Sequence, residues 1–283
     1  MLTYTVCSVN GGTGQTTLAW NLAAAHAHRD RDVLAVDLSA KRTGLTAIPE
    51  GSYTGAGGFG DGTDSLVDHL LGEANMPVSN LIRQTSDSVD IIPATPDQFN
   101  IDDRAKMREA ADADFELHRQ LKKLLRASSI REEYDTIIID ANPRNRFLSL
   151  ALTTTKNIVV PCQYSPQSEY AIKNMRKRVR RFEDHTGVTV RTMILAPTKV
   201  GYTTIEHKCR DQITALDLKV LTGIRDKPSL FDQCWKRGYS LFEYADAEEQ
   251  PHSSDEPLPG TLDRLEELAK YLEEHVELEP TIA

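Results

Sequence analysis

A short glycine loop set between a strand and a helix constrains this chain more than any other feature. Asn10-Gly11-Gly12-Thr13-Gly14-Gln15-Thr16-Thr17 follows the apolar run 3–9 directly and leads at once into a segment carrying Leu18, Leu22 and Ala25. Glycines in that place let backbone N–H groups close on an anion, and the helix that follows turns its positive end toward the same point. Strand, glycine turn and helix in that order predict the opening unit of a parallel α/β sheet with a phosphate cradle. A glycine turn of purely structural purpose is the plainer alternative.

The rest of the chain alternates in the same way. Short aliphatic or β-branched runs predict strands over 3–9, 33–37, 89–93, 136–140, 157–161, 191–196 and 220–224. Amphipathic stretches predict helices over 16–29, 64–71, 112–127, 167–183, 203–215, 229–237 and 261–276. This is the pattern of an α/β fold: a doubly wound, mainly parallel sheet flanked by helices. The runs 3–9, 136–140 and 157–161 are almost continuously apolar, as strands covered on both faces must be, and belong in the middle of the sheet. The expected organisation is one α/β domain over 1–246, an acidic Pro/Ser-rich linker over 247–260, and a last helix within 261–283 packed on the same domain. The run from Gly51 to Gly62 is too glycine-rich for either element and reads as a surface loop.

Composition narrows the function classes. With 283 residues and a net charge of −9, the chain is not basic overall, and no apolar run has the length of a membrane span. Its first residues carry no basic leader, so a cytoplasmic protein is expected. Cys7, Cys162, Cys209 and Cys234 lie far apart without a C-x-x-C pair and read as reduced core thiols. His26 and His28 stand two apart on a helix and hence on different faces, which disfavours a metal site.

The glycine loop resembles the deviant Walker A sequence of the ParA/MinD family of partition and positioning ATPases. The likeness continues in order: Val36-Asp37-Leu38-Ser39-Ala40-Lys41 resembles the Walker A′ strand end, and Tyr134 through Asp140 to Pro143 resembles the Walker B strand. Ile158-Val159-Val160-Pro161 is similar to the next strand, and Ile224-Arg225-Asp226-Lys227-Pro228 through Phe242-Glu243-Tyr244 to the segment that closes over the base. The resemblance implies ATP or ADP in a cradle of Gly11, Gly12, Thr13, Gly14, Gln15, Thr16 and Thr17, with Mg²⁺ held by Thr16, Asp37 and Asp140. It also implies a face-to-face homodimer.

Three positions depart from the family pattern. Asn10 stands where the signature lysine belongs, Gln15 where the phosphate-loop lysine belongs, and Ser39 where the second Walker A′ aspartate belongs. Phosphoryl transfer rests on positive charge at the phosphate oxygens, so hydrolysis is expected to be lost and nucleotide binding weakened. Lys41 and Arg42 are the candidates for a rescue of the missing charge. The base-reading position after the sixth strand is altered to Ala196-Pro197-Thr198, which leaves the identity of the nucleotide open.

Lys173, Arg176, Lys177, Arg178, Arg180 and Arg181 share one side of a predicted helix, opposite the stripe Ile172, Met175, Val179 and Phe182. Such a concentration of charge predicts non-specific DNA binding, against the blander reading of a solvated face. The last helix carries Glu266, Glu267, Glu273 and Glu274, which anionic lipid would repel, so the DNA-associated, Soj-like branch is favoured over a membrane partner. The expectation is a nucleoid-associated partition or positioning protein, with a ParB-like or an active ParA-like protein as candidate partner. The alternatives are a working ATPase with a compensated site and a nucleotide-free protein-binding adaptor.

Overall fold

The computed structural model describes residues 1–39, 44–48, 64–127, 130–143, 145–247 and 258–276. The glycine-rich loop, the rescue candidates Lys41 and Arg42, and most of the acidic linker lie outside the described residues.

The strands are β1 (Leu2–Val6), β2 (Val33–Leu38), β3 (Arg83–Gln84), β4 (Val89–Ile92), β5 (Thr136–Ala141), β6 (Asn157–Cys162), β7 (Thr192–Pro197) and β8 (Lys219–Val220). They form a single sheet in the order β3-β4-β2-β5-β1-β6-β7-β8. All neighbouring pairs are parallel except β3 with β4. Every residue of β1, β2, β5 and β6 is buried, which explains why these strands read as unbroken apolar runs. Their ends therefore meet at the centre of the sheet, and the loops leaving them build the site.

The helices are α1 (Gln15–Ala27), α2 (Leu66–Leu71), α3 (Ile101–Ala111), α4 (Gln120–Ala127), α5 (Ile130–Glu133), α6 (Asn145–Thr155), α7 (Ser168–Thr186), α8 (Thr204–Thr214), α9 (Pro228–Arg237), α10 (Leu241–Asp246) and α11 (Leu258–His275). One face of the sheet is covered by a core joining α2, α4, α6 and α7, with Leu70, Leu121, Leu150 and Met175 fully buried. The other is covered by α1 and α11, where Trp20, Leu22, Leu268 and Leu272 meet.

Several boundaries differ from the sequence expectation. The first strand ends at Val6, because Cys7 already turns toward the loop, although its N–H still bonds to the carbonyl of Val159 at 3.1 Å. The helix expected over 112–127 is shorter, a 3₁₀ turn at Leu117–Arg119 leading into α4, and α3 before it is a helix the sequence did not predict. The last strand covers Lys219–Val220 and stops there, and α11 begins at Leu258, inside the stretch assigned to the linker. All four cysteines are free and buried.

α11 is fastened to α1 by a polar network. The Tyr4 hydroxyl lies 3.1 Å from His26 Nε2, and His26 Nδ1 lies 2.8 Å from Glu273 Oε1, so the neutral ring accepts from tyrosine and donates to the carboxylate. Arg29 adds two bonds to Glu273, at 3.2 and 3.0 Å. Burial pushes His26 below its ordinary value, and the hydrogen bond from His26, with Arg29 beside it, draws Glu273 down to about 2. Two acidic residues of the last helix thus face basic partners at the end of α1 and just past it, Glu273 as described and Glu266 beside His28 at 3.2 Å.

Candidate functional site

The glycine loop sits at the end of β1 and feeds α1. Gly12 and Gly14 have φ of 76° and 75°, a left-handed conformation that a side chain would resist, and Gly14 forms the N-cap of α1. Neighbouring strands hold the loop from behind. The Thr198 hydroxyl, at the end of β7, donates to the carbonyl of Thr13 at 2.6 Å, and Gln163 Nε2 donates to the carbonyl of Gly12 at 3.2 Å. Thr13 is itself buried, with its hydroxyl 3.4 Å from the carbonyl of Asn10. Asn10 and Gly11 are exposed.

Gln15 turns back into the sheet. Its Oε1 accepts from the N–H of Ser8 at 2.8 Å, while Nε2 donates to Asp140 Oδ1 at 2.5 Å and to the carbonyl of Ala141 at 2.9 Å. Both N–H groups of this amide and its oxygen are engaged by the chain leaving β1 and by the end of β5. Thr16, next in line, lies half-buried in the first turn of α1, and the Thr17 hydroxyl accepts from Trp235 Nε1 at 3.2 Å.

Asp37 and Asp140 are register partners on the adjacent parallel strands β2 and β5, and both are fully buried. Their carboxylates do different work. Asp37 Oδ1 accepts from the N–H of Ser39 at 2.8 Å, and Oδ2 accepts from the N–H and hydroxyl of Thr46 at 2.8 and 2.7 Å. The Thr46 hydroxyl in turn accepts from the N–H of Ala94 at 2.7 Å. Asp37 therefore ties the segment after β2 to the end of β4. A Cβ at Gly44 would fall 2.7 Å from Asp37 Oδ2 and 2.1 Å from Ser39 Oγ, so this approach demands glycine.

The resemblance expects magnesium at Thr16, Asp37 and Asp140, and in this structure both carboxylates also carry hydrogen bonds from the protein itself. Mg²⁺ takes hard oxygens in near-octahedral array, usually one or two carboxylates with waters and substrate phosphates. Asp37 has three hydrogen-bond donors on its two oxygens, and Asp140 Oδ1 is taken by the Gln15 amide. Of the expected ligands, Thr16 and Asp140 lie along one end of the sheet, while Asp37 is turned into the loop it organises. Among the described residues no cluster of three or more His, Cys, Asp or Glu side chains could hold a metal ion.

Beside the loop opens a cleft of about 290 Å³. It is lined by Gly12, Gly14, Thr17 and Asn21 of the loop and α1, by Lys199, Arg225 and Asp226 of the chain leaving β7 and β8, and by Phe231 and Trp235 of α9. It lies between the phosphate loop and the segment matched in sequence to base closure. Sequence reasoning passed over Lys199, Arg225 and Trp235 as site residues. The signal for Trp235 was its place in that segment, whereas Lys199 carried none.

The basic helix is α7, and its apolar stripe Ile172, Met175, Val179 and Phe182 is buried as the spacing requires. Its six cations divide into three groups. Arg176 Nη1 donates to the carbonyl of Leu216 at 3.2 Å, and Arg178 Nη1 to the carbonyl of Pro143 at 2.9 Å, so these two fasten α7 to its surroundings. Lys173 is exposed but paired with Glu169 at 2.5 Å. Lys177, Arg180 and Arg181 are exposed, and Lys177 and Arg181 line a groove of about 550 Å³ with Arg178 and His185. Among the described residues no helix is long and apolar enough to cross a membrane.

A family model described as an AAA domain matches residues 2–192. The sporulation initiation inhibitor protein Soj of Bacillus subtilis is 27% identical over 216 residues, covering 71% of this chain and 76% of Soj. Against two further partition relatives the chain spans about half their length, 52% and 51%. An ATP complex of a McdA variant from Cyanothece superposes with a TM-score of 0.74 at 16% identity, covering 99% of both chains. The MinD cell division protein of Aquifex aeolicus superposes with a TM-score of 0.67 at 15% identity, again over 99% of each.

Proposed function

We propose that this chain, which belongs to the ParA/MinD family of partition and positioning proteins, is a DNA-associated member that takes up nucleotide without turning it over. The observation that carries the reading is the state of the loop. Its backbone cradle is kept, with left-handed Gly12 and Gly14 opening on a cleft, while the lysine position is filled by Gln15 bonded to Asp140. Retained cradle and missing charge support binding of ATP or ADP through backbone N–H groups and the end of α1. Asn10 and Gln15 leave the loop without a cation for the charge that develops as the terminal phosphate leaves, and Ser39 stands in place of a carboxylate.

Non-specific DNA is the proposed partner of α7. Lys177, Arg180 and Arg181 are exposed on an otherwise acidic protein, and such a patch draws the phosphate backbone electrostatically. A homodimer meeting at the phosphate loops is proposed with it, supported by Tyr202, a large side chain left exposed against the cleft residue Arg225, and by the exposed Ile205. Cytoplasmic, nucleoid-associated localisation follows from that reading, with a ParB-like or an active ParA-like protein as regulatory partner.

The test is twofold. Purified protein is assayed for ATP turnover and, by calorimetry, for ADP binding; binding without turnover is the expected result, and turnover at rates of an ordinary family ATPase refutes the reading. Retardation of unrelated DNA fragments that weakens steeply with salt supports the DNA assignment, and no retardation at low salt leaves the protein-binding adaptor in its place.

A further inference from the structure

The phosphate loop has no cation of its own, and the Gln15 amide is held away from the cleft by Ser8, Asp140 and Ala141. Cations from other segments line the same cleft instead. Thr198 is bonded to the carbonyl of Thr13, which fastens the chain leaving β7 to the phosphate loop, and the next residue, Lys199, lines the cleft together with Gly12 and Gly14. Lys199 has a φ of 52°, a left-handed conformation uncommon outside glycine and retained where the surroundings over-determine it, often at ligand sites. The side chain is exposed, and among the described residues no carboxylate pairs with it.

Arg225 reaches the same cleft from the chain leaving β8. The N–H of Val200 bonds to the carbonyl of Ile224 at 2.9 Å, and the N–H of Asp226 to the carbonyl of Val200 at 3.2 Å, so the two wall segments run side by side. The Arg225 guanidinium lies over the Tyr202 ring, 4.6 Å from its centroid, which sets the direction of a long side chain.

We propose that Lys199 and Arg225, from the neighbouring segments that line the cleft, supply the positive charge that the phosphate loop lacks, and that the ligand is a nucleoside di- or triphosphate. Its phosphate chain lies between Gly12–Gly14 and these two side chains. The proposal rests on the reading that nucleotide occupies this cleft. Asp226 and Asp232 line it too; their carboxylates accept from ribose hydroxyls and disfavour a bare phosphate chain. Phe231 and Trp235 offer faces to a base. The lining as a whole suits a nucleotide better than inorganic phosphate.

The experiment is calorimetry on the full chain with ADP, adenosine and inorganic pyrophosphate, in chelator to remove divalent cations. Lys199→Gln is expected to weaken ADP binding about 10- to 100-fold, the worth of one charge-assisted hydrogen bond, while adenosine binding stays unchanged. Arg225→Gln weakens it less, Lys199→Arg restores it, and pyrophosphate binds more weakly than ADP. Lys199→Gly, which the left-handed backbone favours, is expected to melt no lower than the unmodified protein and to show the same drop in affinity, separating charge from folding. Equal ADP affinity in the unmodified protein and in a Lys199→Gln, Arg225→Gln double variant overturns the proposal and leaves the nucleotide reading standing. No ADP binding by the unmodified protein removes both.

Discussion

The amide of Gln15 and the carboxylate of Asp140 are bonded directly, with Nε2 2.5 Å from Oδ1. A neutral side chain thus occupies the carboxylate oxygen that a metal's water shell would need, while bridging the N–H of Ser8 and the carbonyl of Ala141. Gln15→Ala leaves these groups without their partner in a largely buried setting and is expected to cost about 1–3 kcal/mol, read as a lower denaturant midpoint. Gln15→Lys restores a cation and is expected to tighten ADP binding by about tenfold or more in the presence of magnesium, measured by calorimetry.

The division of α7 predicts two kinds of variant. Charge reversal at Lys177, Arg180 and Arg181 is expected to abolish DNA retardation and leave the melting temperature unchanged, since all three are exposed. Each DNA phosphate that is no longer neutralised lowers the slope of log affinity against log salt by about 0.9. Arg176→Ala and Arg178→Ala remove bonds to the carbonyls of Leu216 and Pro143, and are expected to lower stability by about 1 kcal/mol each. Retardation unchanged by the triple reversal refutes the assignment of α7.

The attachment of α11 is expected to weaken in acid. Glu273, drawn down to about 2, contributes stability that is complete above its unfolded value near 4.5 and is lost as pH falls toward 2. His26, kept neutral by burial, acts in the same direction: below about 6.5 the unfolded chain takes up a proton that the folded one resists. Glu273→Gln is expected to lower the melting temperature at pH 7 and to flatten its fall between about pH 5 and 3.

Glu243 predicts the opposite slope. Burial, reinforced by the neighbouring carboxylate of Asp87, pushes it up to about 7. Asp87 also accepts from the N–H of Ser240 at 2.9 Å and from its hydroxyl, which joins the turn before β4 to the start of α10. The folded state therefore favours the protonated Glu243, and this contribution is lost as pH rises from about 4.5 through 7. Glu243→Gln is expected to raise the melting temperature at pH 8 and to change it little at pH 5; no difference at pH 8 refutes the assignment.

The sheet and its central strands were legible in the sequence because burial on both faces forces unbroken apolar runs, as in Thr136–Ala141. α3 was not, since of Ile101–Ala111 only Ile101 and Ala105 are buried, too few to print a helical period on the sequence. α6 hid for another reason: its run ends in Thr153, Thr154 and Thr155, β-branched residues that suit a strand but here bond back toward earlier carbonyls, Thr154 to Leu150 at 2.8 Å. At the site, residue identity revealed the missing charges at Asn10 and Gln15. Where the Gln15 amide goes, and that Asp37 serves the loop to Thr46, depended on contacts between elements distant in the chain. Arg176 and Arg178 were indistinguishable from Arg180 by helical spacing, because their acceptors, the carbonyls of Leu216 and Pro143, lie 40 and 35 residues away.

Both margins of the sheet are two residues long: β3 at Arg83–Gln84 and β8 at Lys219–Val220. A border that short presents hardly any unsatisfied backbone to another chain, and two of its four residues are cationic, which further discourages strand addition. Copies of this protein held at high local concentration, as on a crowded polymer, are thereby steered away from edge-to-edge fibril growth. Their association is left to helices and loops, where it can be undone.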